Sequence, residues 1–156
     1  MIIRLYNEEE LARLCSMDKR VTNPGAHWTN KPRVRPAHRQ RNFKVIGHQD
    51  DSRFSVYLRK NLTDECDFSC GIVYLPHGAS PLTLARYNGP GHRHGDIHYR
   101  THIHRVSESA MEAGRKPESA AVETNRFETL EGALACLIED FNLAGISAQH
   151  DQPRLF

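Results

Sequence analysis

Residues 89–105 (GPGHRHGDIHYRTHIHR) contain the side chains of this chain that are best suited to acid–base chemistry. The stretch holds five of the ten histidines, three arginines and a single acid, Asp96. Imidazole titrates near neutral pH, so two histidines can act as general base and general acid without a metal ion. A neighbouring guanidinium can bind the phosphate. The stretch therefore predicts a site for phosphodiester transfer, such as RNA cleavage.

The spacing His-x-His occurs twice in this stretch, at positions 92–94 and 102–104. Residues two apart on a strand point to the same face, so each pair would present both rings on one side. A turn at Gly95-Asp96 would place the two pairs alongside each other. The predicted catalytic residues are imidazoles and nearby guanidinium groups: His92, His94, His102, His104, Arg86 and Arg93.

A second candidate feature is the basic segment KPRVRPAHRQRNFK at residues 31–44, which has no acidic residue. The whole chain has a net charge of only +2, so its positive charge is unevenly distributed. A cluster of this kind predicts binding to RNA or another polyanion, with Trp28 or Phe43 available to stack on a base. The predicted nucleic-acid-binding residues are the six cations of the segment: Lys31, Arg33, Arg35, Arg39, Arg41 and Lys44.

Two other interpretations of the histidines stay open. His-x-His on a strand is a common way to bind zinc, iron or nickel, and residues 95–108 approach a cupin-like pattern with Gly95, His102, His104 and Glu108. The histidines could also be structural or contact a partner. The chain has no glycine-rich phosphate loop, no G-x-S-x-G and no H-E-x-x-H motif. We therefore assign no metal ligand and expect no cofactor.

The periodicity of apolar residues predicts a single α+β domain over residues 1–156. Short β-prone runs separated by turn residues predict an antiparallel meander of about five strands, at 43–46, 53–58, 68–75, 82–86 and 97–105. In the second run, Phe54, Val56 and Leu58 share one face, while Ser55 and Tyr57 share the other. Further short strands are expected at 2–6 and 122–127.

Helices from both ends of the chain should cover this sheet. Asn7 and Glu10 form a capping box for a helix that ends near Asp18, and Thr129 caps an amphipathic helix that ends near Asn142. A short helix is expected near residues 107–113. Residues 21–42 should form an irregular basic arm, because prolines and glycine interrupt the periodicity, and residues 144–156 should be a surface tail.

No apolar run approaches the roughly 20 residues that span a bilayer, so we expect no membrane partner. The N-terminal sequence has no basic segment followed by an apolar one, and a signal peptide is therefore not expected. These features favour a cytoplasmic protein. Its four scattered cysteines should then be reduced thiols.

The segments LARYNGPGHRH, THIHR and TNRFETLEGALACLIEDFNL carry a resemblance to a known group of proteins. Over about residues 53–143 the chain resembles small prokaryotic proteins close to the TumE-type toxins of toxin–antitoxin modules. The resemblance implies a small α+β fold, a toxin-like or phage-conflict role on RNA, and an antitoxin protein as partner. The positions to which it points are Arg86, Tyr87, Asn88, His92, His94, His102 and His104.

Together these observations predict a toxin-like RNA-binding protein that could act as a metal-independent endoribonuclease. One alternative is a non-enzymatic inhibitor from a phage or mobile element that binds a host nucleic-acid-binding complex. Another is a His-x-His metal-binding module.

Overall fold

The computed structural model describes residues 4–35, 37–91 and 100–148, and in these residues the chain has an α+β fold. A mostly antiparallel sheet of nine strands is combined with three helices. The predicted fold class is therefore confirmed, but the sheet is larger than the five strands expected. Within these ranges, no helix is long and apolar enough to cross a membrane.

The helices are α1 (Glu8–Ser16), α2 (Glu108–Glu112) and α3 (Leu130–Asp140). The strands are β1 (Lys19–Val21), β2 (Thr29–Lys31), β3 (His38–Gly47), β4 (Arg53–Asn61), β5 (Phe68–Tyr74), β6 (Leu82–Asn88), β7 (His102–Arg105), β8 (Ala120–Glu123) and β9 (Leu143–Ala144).

The order of strands across the sheet follows the chain for most of its width. It runs β8-β7-β6-β5-β4-β3-β1-β9, and β2 pairs with β3 outside this path. Strands β3 to β8 pair successively and antiparallel, as a meander requires. Strands β1 and β9 are parallel to each other. The meander therefore places β6 and β7, which carry Arg86, His102 and His104 of the predicted site, in its second half.

Each helix begins at a side chain that accepts a hydrogen bond from the first turn. The Asn7 side chain accepts from the backbone N–H of Glu10 at 2.8 Å, and the Glu10 carboxylate accepts from the Asn7 N–H, which confirms the predicted capping box. Ser107 and Thr129 cap α2 and α3 in the same way. These caps explain why the three helices start where the sequence pattern indicated.

Alternation along the strands gives the sheet two different faces. Phe43, Val56, Ile72 and Ala85 lie opposite one another on β3, β4, β5 and β6. These side chains are buried with the apolar stripe of α3, which contacts β4, β5 and β6. We call this the covered face. Burial of apolar side chains here is the main force that holds the fold together.

Lys19 is a charged residue inside this core, with only 1% of its surface exposed. Its ammonium donates hydrogen bonds to the carbonyl oxygens of Cys15, Met17 and Phe141, at 2.9, 2.9 and 3.0 Å. These three bonds use all the donors of an ammonium and link the end of α1 to the end of α3. Burial nevertheless lowers the pKa of Lys19 from 10.5 to about 8.

Several sequence predictions were wrong about segments near the ends of the chain. Residues 4–6 form no strand, and the rest of the strand predicted at 2–6 lies outside the described residues. The segment 21–42, expected to be irregular, contains β2 and the start of β3. The expected surface tail begins with β9, and β8 starts earlier than the strand predicted at 122–127. Pairing with an existing strand supplies the partners that these short segments do not indicate by themselves.

Candidate functional site

The face of the sheet opposite α3 carries polar side chains from four successive strands. Two rows cross it in the pairing register: Tyr57, Gly71, Arg86 and His104 form one, and Arg59, Ser69, Asn88 and His102 form the other. Paired residues on neighbouring strands have Cβ atoms roughly 5 Å apart, so these side chains lie next to one another. The polar face is defined by the side chains of Tyr57, Arg59, Ser69, Arg86, Asn88, His102 and His104.

His102 is fully buried, with 0% of its surface exposed. Its Nδ1 lies 3.0 Å from the carbonyl oxygen of Arg100, and its Nε2 lies 3.1 Å from the side-chain nitrogen of Asn88. Because a carbonyl oxygen only accepts, the ring proton is on Nδ1, and Nε2 accepts from the Asn88 amide. The two hydrogen bonds fix the orientation of this ring.

His104 is also buried, with 1% exposed, and its Nδ1 lies 3.0 Å from the carbonyl oxygen of Glu118. The same reasoning places its proton on Nδ1. The two rings have centroids 5.0 Å apart and meet nearly edge to face. The structure thus brings together the second predicted His-x-His pair as a single aromatic unit on β7.

Arg86 lies directly across from His104 on β6. Its Nε is buried, and no acceptor among the residues with described positions bonds to it. No described carboxylate forms an ion pair with this guanidinium either. A buried donor that lacks an acceptor costs free energy, on the order of 1–3 kcal/mol. Among the described cations of this face, Arg86 is therefore the one that a bound anion would stabilise most.

Tyr57 lies flat across the neighbouring strand, because its partner on β5 is Gly71. A Cβ added to Gly71 would come within 2.6 Å of the Tyr57 hydroxyl oxygen. The glycine therefore makes room for the ring. Burial raises the pKa of Tyr57 to about 12, although the charges of Arg86 and Arg59 act in the opposite direction. The phenol is a neutral hydrogen-bonding group at physiological pH.

Arg59 occupies the other row of the polar face and is held by the turn that precedes β5. Its guanidinium lies 3.3 Å from the carboxylate of Asp67, which also accepts a hydrogen bond from Asn61 at 3.0 Å. The arginine is partly neutralised by this pair. Asp67 thus orients the Arg59 guanidinium and offsets part of its charge, whereas no described carboxylate does so for Arg86.

The predicted catalytic set is only partly placed by the structure. Arg86, His102 and His104 lie together on β6 and β7, as the spacing indicated. His92, Arg93 and His94 lie outside the described residues, as does His98. Convergence of the two His-x-His pairs stays a prediction. The described half of the set lies on one face of the sheet.

The six predicted nucleic-acid-binding cations do not form one surface. Alternation along β3 sends Arg39 and Arg41 to the side of the core and Lys44 to the side of the polar face. Arg41 is only 8% exposed and donates to the carbonyl oxygens of Ala26 at 2.6 Å and Pro24 at 3.2 Å. A strand distributes a run of cations over both of its faces, and binding of nucleic acid by the exposed members of this set stays a prediction.

The exposed members of this set are Lys31, Arg33, Arg35 and Lys44. Arg39 stacks over Trp28, with its guanidinium carbon 4.3 Å from the ring centroid. Phe43 lies in the core with 1% exposed, so the expectation that it could stack on a base is wrong.

The metal interpretation has little to build on in residues 4–35, 37–91 and 100–148. No group of three or more His, Cys, Asp or Glu side chains comes together there as a metal site would require. Glu108, the acidic residue of the cupin-like pattern, is in α2, and its backbone N–H bonds to the Glu8 carboxylate. The described His-x-His pair thus supplies two ligands at most.

Sequence reasoning did not single out Tyr57, Arg59 or Gly71 as functional residues. The signal was present in β4, because the apolar positions Phe54, Val56 and Leu58 imply that the residues between them face the other way. Asn88, which the family resemblance indicated, bonds to His102, whereas its neighbour Tyr87 faces the core.

Comparisons of this chain with family models, with curated proteins and with solved structures found no match.

Proposed function

We propose that this protein binds RNA on the polar face of its sheet. The observation that carries the proposal is Arg86, whose buried Nε lacks an acceptor among the described residues and which lies opposite His104. A phosphate oxygen would supply that acceptor in a charge-assisted hydrogen bond. Natural sheets satisfy nearly all buried donors, so a donor of this kind favours a ligand site over a structural role.

Other features of the same face fit a nucleic acid better than a small anion. Arg59 lies one row away from Arg86, and Asn88 adds an amide whose buried Oδ1 has no donor within the described ranges. Cations along a sheet can follow a phosphate backbone, and amide groups can read base edges. Lys44 and the exposed cations near residues 31–35 extend the positive surface.

The finer proposal is that bound RNA is cleaved at the histidine pair. In this reaction, one imidazole removes the proton from the 2′-hydroxyl, and the 2′-oxygen forms a bond to phosphorus. The bond from phosphorus to the 5′-oxygen breaks, and the imidazolium formed in the first step returns its proton to that oxygen. Arg86 would hold the charge of the phosphorane. The His102 ring is held by hydrogen bonds at both nitrogens and packs edge to face on the His104 ring, so it would orient His104.

Binding is tested by fluorescence anisotropy with a labelled single-stranded oligouridine. We expect Arg86→Gln to weaken binding at least tenfold, which is the loss of one strong charge-assisted contact. The matched control is Arg13→Gln, which removes the same charge from α1, where Arg13 pairs with Asp50 at 3.0 Å. Equal affinity of the wild-type and Arg86→Gln proteins would contradict the proposal.

Cleavage and toxicity form a separate arm of the test. Wild-type protein should cut the oligonucleotide in the presence of a chelator, and His104→Gln should bind it without cutting. If the toxin-like role proposed from the family resemblance holds, His104→Gln should also relieve growth inhibition on expression. If the wild-type protein binds the RNA but leaves it intact, the proposal of cleavage is wrong and the proposal of binding stands.

A further inference from the structure

Strand β8 forms one edge of the sheet, next to β7. The pattern of hydrogen bonds between β7 and β8 shows which backbone groups of β8 point away from the sheet. Thr124 donates its N–H to the carbonyl of Thr101, and hydrogen-bonded pairs alternate along an antiparallel ladder. Residue pairs Ile103–Val122 and Arg105–Ala120 are therefore bonded. The N–H and C=O groups of Ala121 and Glu123 point away from β7.

These outward groups have no backbone partner among the residues whose positions are described. Natural proteins protect such an edge, because it is a template for another strand. The edge also exposes an apolar side chain, since 70% of Val122 is accessible. An exposed valine on an open edge favours strand addition over simple solvation.

A groove of about 320 Å³ lies beside this edge on the covered side of the sheet. Ile103, Ala120 and Val122 supply its apolar lining, and Arg105 and Arg126 lie at its wall. An open strand edge can pair with any extended segment. The two guanidinium groups and the apolar groove favour a segment that carries acidic and aliphatic side chains.

Both arginines are fixed in place by one carboxylate at the end of α3. Asp140 accepts from Arg105 at 3.1 Å, from Arg126 at 2.9 Å through each of its two oxygens, and from the hydroxyl of Tyr87 at 2.5 Å. Burial alone would raise the pKa of Asp140, but the hydrogen bonds from Arg126 and Tyr87 lower it overall. One carboxylate thus faces two guanidiniums, and one positive charge is left over.

We propose that an extended segment of a partner protein adds to the sheet at β8, with an aliphatic residue opposite Val122 and acidic residues two positions away on the same side. The aliphatic side chain would fill the groove. The carboxylates would reach Arg105 and Arg126, each of which has more than a third of its side chain exposed. Glu123, the acidic residue lining the groove, is already paired with Arg100 at 3.0 Å. The proposal is independent of RNA binding.

The test uses a synthetic heptapeptide with a central valine, glutamate two positions away on each side and threonine elsewhere. It is titrated into ¹⁵N-labelled protein, and we expect the amide signals of Ala121 and Glu123 to shift and to exchange more slowly with solvent. A peptide with lysine in place of glutamate should bind at least tenfold more weakly. Arg126→Gln should reduce that preference to less than threefold.

Two further variants test the strand pairing itself. Ala121→Pro removes an outward N–H that the fold does not use, and it should abolish peptide binding. Because this variant could also disturb β8, the peptide N-methylated at the ladder positions is added to wild-type protein, and it should not bind. Unchanged Ala121 and Glu123 signals at about 1 mM acidic peptide, or equal affinity for both peptides, would overturn the proposal. A wild-type dimer that Ala121→Pro dissociates would overturn it in favour of a second copy.

Discussion

The two faces of the sheet bury charged and polar groups in opposite ways. On the covered face, Lys19 donates three hydrogen bonds to carbonyl oxygens, and each has a distance of 3.0 Å or less. On the polar face, Arg86 and Asn88 each keep a buried atom with no partner in the described part of the chain. The first arrangement serves stability, because every donor is used. The second costs stability and makes sense if a ligand completes it.

The comparison predicts that substitutions on the covered face lower the stability of the fold, whereas substitutions on the polar face lower RNA affinity. The largest loss of stability should come from Leu58→Ala, since Leu58 is fully buried on the covered face. Such substitutions typically cost about 2–5 kcal/mol. The matched change on the same strand, Ser55→Ala, should stay within about 0.5 kcal/mol. Urea unfolding measures both, and similar losses at the two positions would contradict the assignment of the faces.

Lys19→Met should produce the next largest loss, of about 2 kcal/mol near neutral pH, because three buried carbonyl groups lose a charged donor. Methionine keeps the length and most of the volume of the side chain, so the loss would report the hydrogen bonds. Chemical unfolding at pH 7 gives the value. A variant as stable as the wild type would mean that the ammonium does not hold α1 and α3 together.

The same residue gives a pH dependence whose sign follows from its lowered pKa. The folded pKa is about 8 and the ordinary value is 10.5, so the unfolded chain binds the proton more tightly between these values. Stability should therefore rise with pH in this window and level off below pH 8. Between pH 7 and 9 the wild type should gain about 1 kcal/mol relative to Lys19→Met. A constant difference would show that Lys19 titrates normally.

Tyr87→Phe tests a smaller element of the covered side. The hydroxyl of Tyr87 donates to Asp140, and burial followed by this hydrogen bond raises the tyrosine pKa. Removing the hydroxyl should cost about 1.5 kcal/mol, as expected for a bond to a charged acceptor. RNA affinity should not change. A loss of RNA affinity in this variant would contradict the claim that only the polar face binds RNA.

Arg86→Gln should not destabilise the fold by more than about 0.5 kcal/mol, because the guanidinium has no described ion pair to lose. Its effect on RNA affinity should be the largest of these variants. Thermal unfolding and anisotropy on the same preparation compare the two properties. A destabilisation above about 2 kcal/mol would indicate that Arg86 is a structural residue.

The elements with strong patterns could be predicted from the sequence. Alternation in Phe54, Val56 and Leu58 identified β4 and its buried face. The capping box at Asn7 located α1, and the N-cap Thr129 located α3. The segment 19–31 could not be interpreted in this way, because β1 and β2 have three residues each and depend on β3 for their pairing. The burial of Lys19 had no local signal, since its acceptors come from both ends of the chain.

The candidate site was predictable to a similar degree. His-x-His spacing on a strand correctly placed His102 and His104 together, and Arg86 was found beside them. The run of cations at 31–44 was misleading, because Arg41 bonds to backbone carbonyls inside the fold. The structural role of Arg41 depends on the positions of the Pro24 and Ala26 carbonyl groups in the fold. The composition of the segment does not indicate those positions.

The most direct test of the central claim is a map of where RNA binds. A single-stranded oligouridine is titrated into ¹⁵N-labelled protein, and the amide shifts are followed by NMR. We predict that the largest shifts occur at Tyr57, Ser69, Arg86 and Asn88, and that Arg86→Gln removes them. Shifts confined to residues 31–35, or to the α1 and α3 side of the molecule, would contradict the claim that the polar face is the binding site.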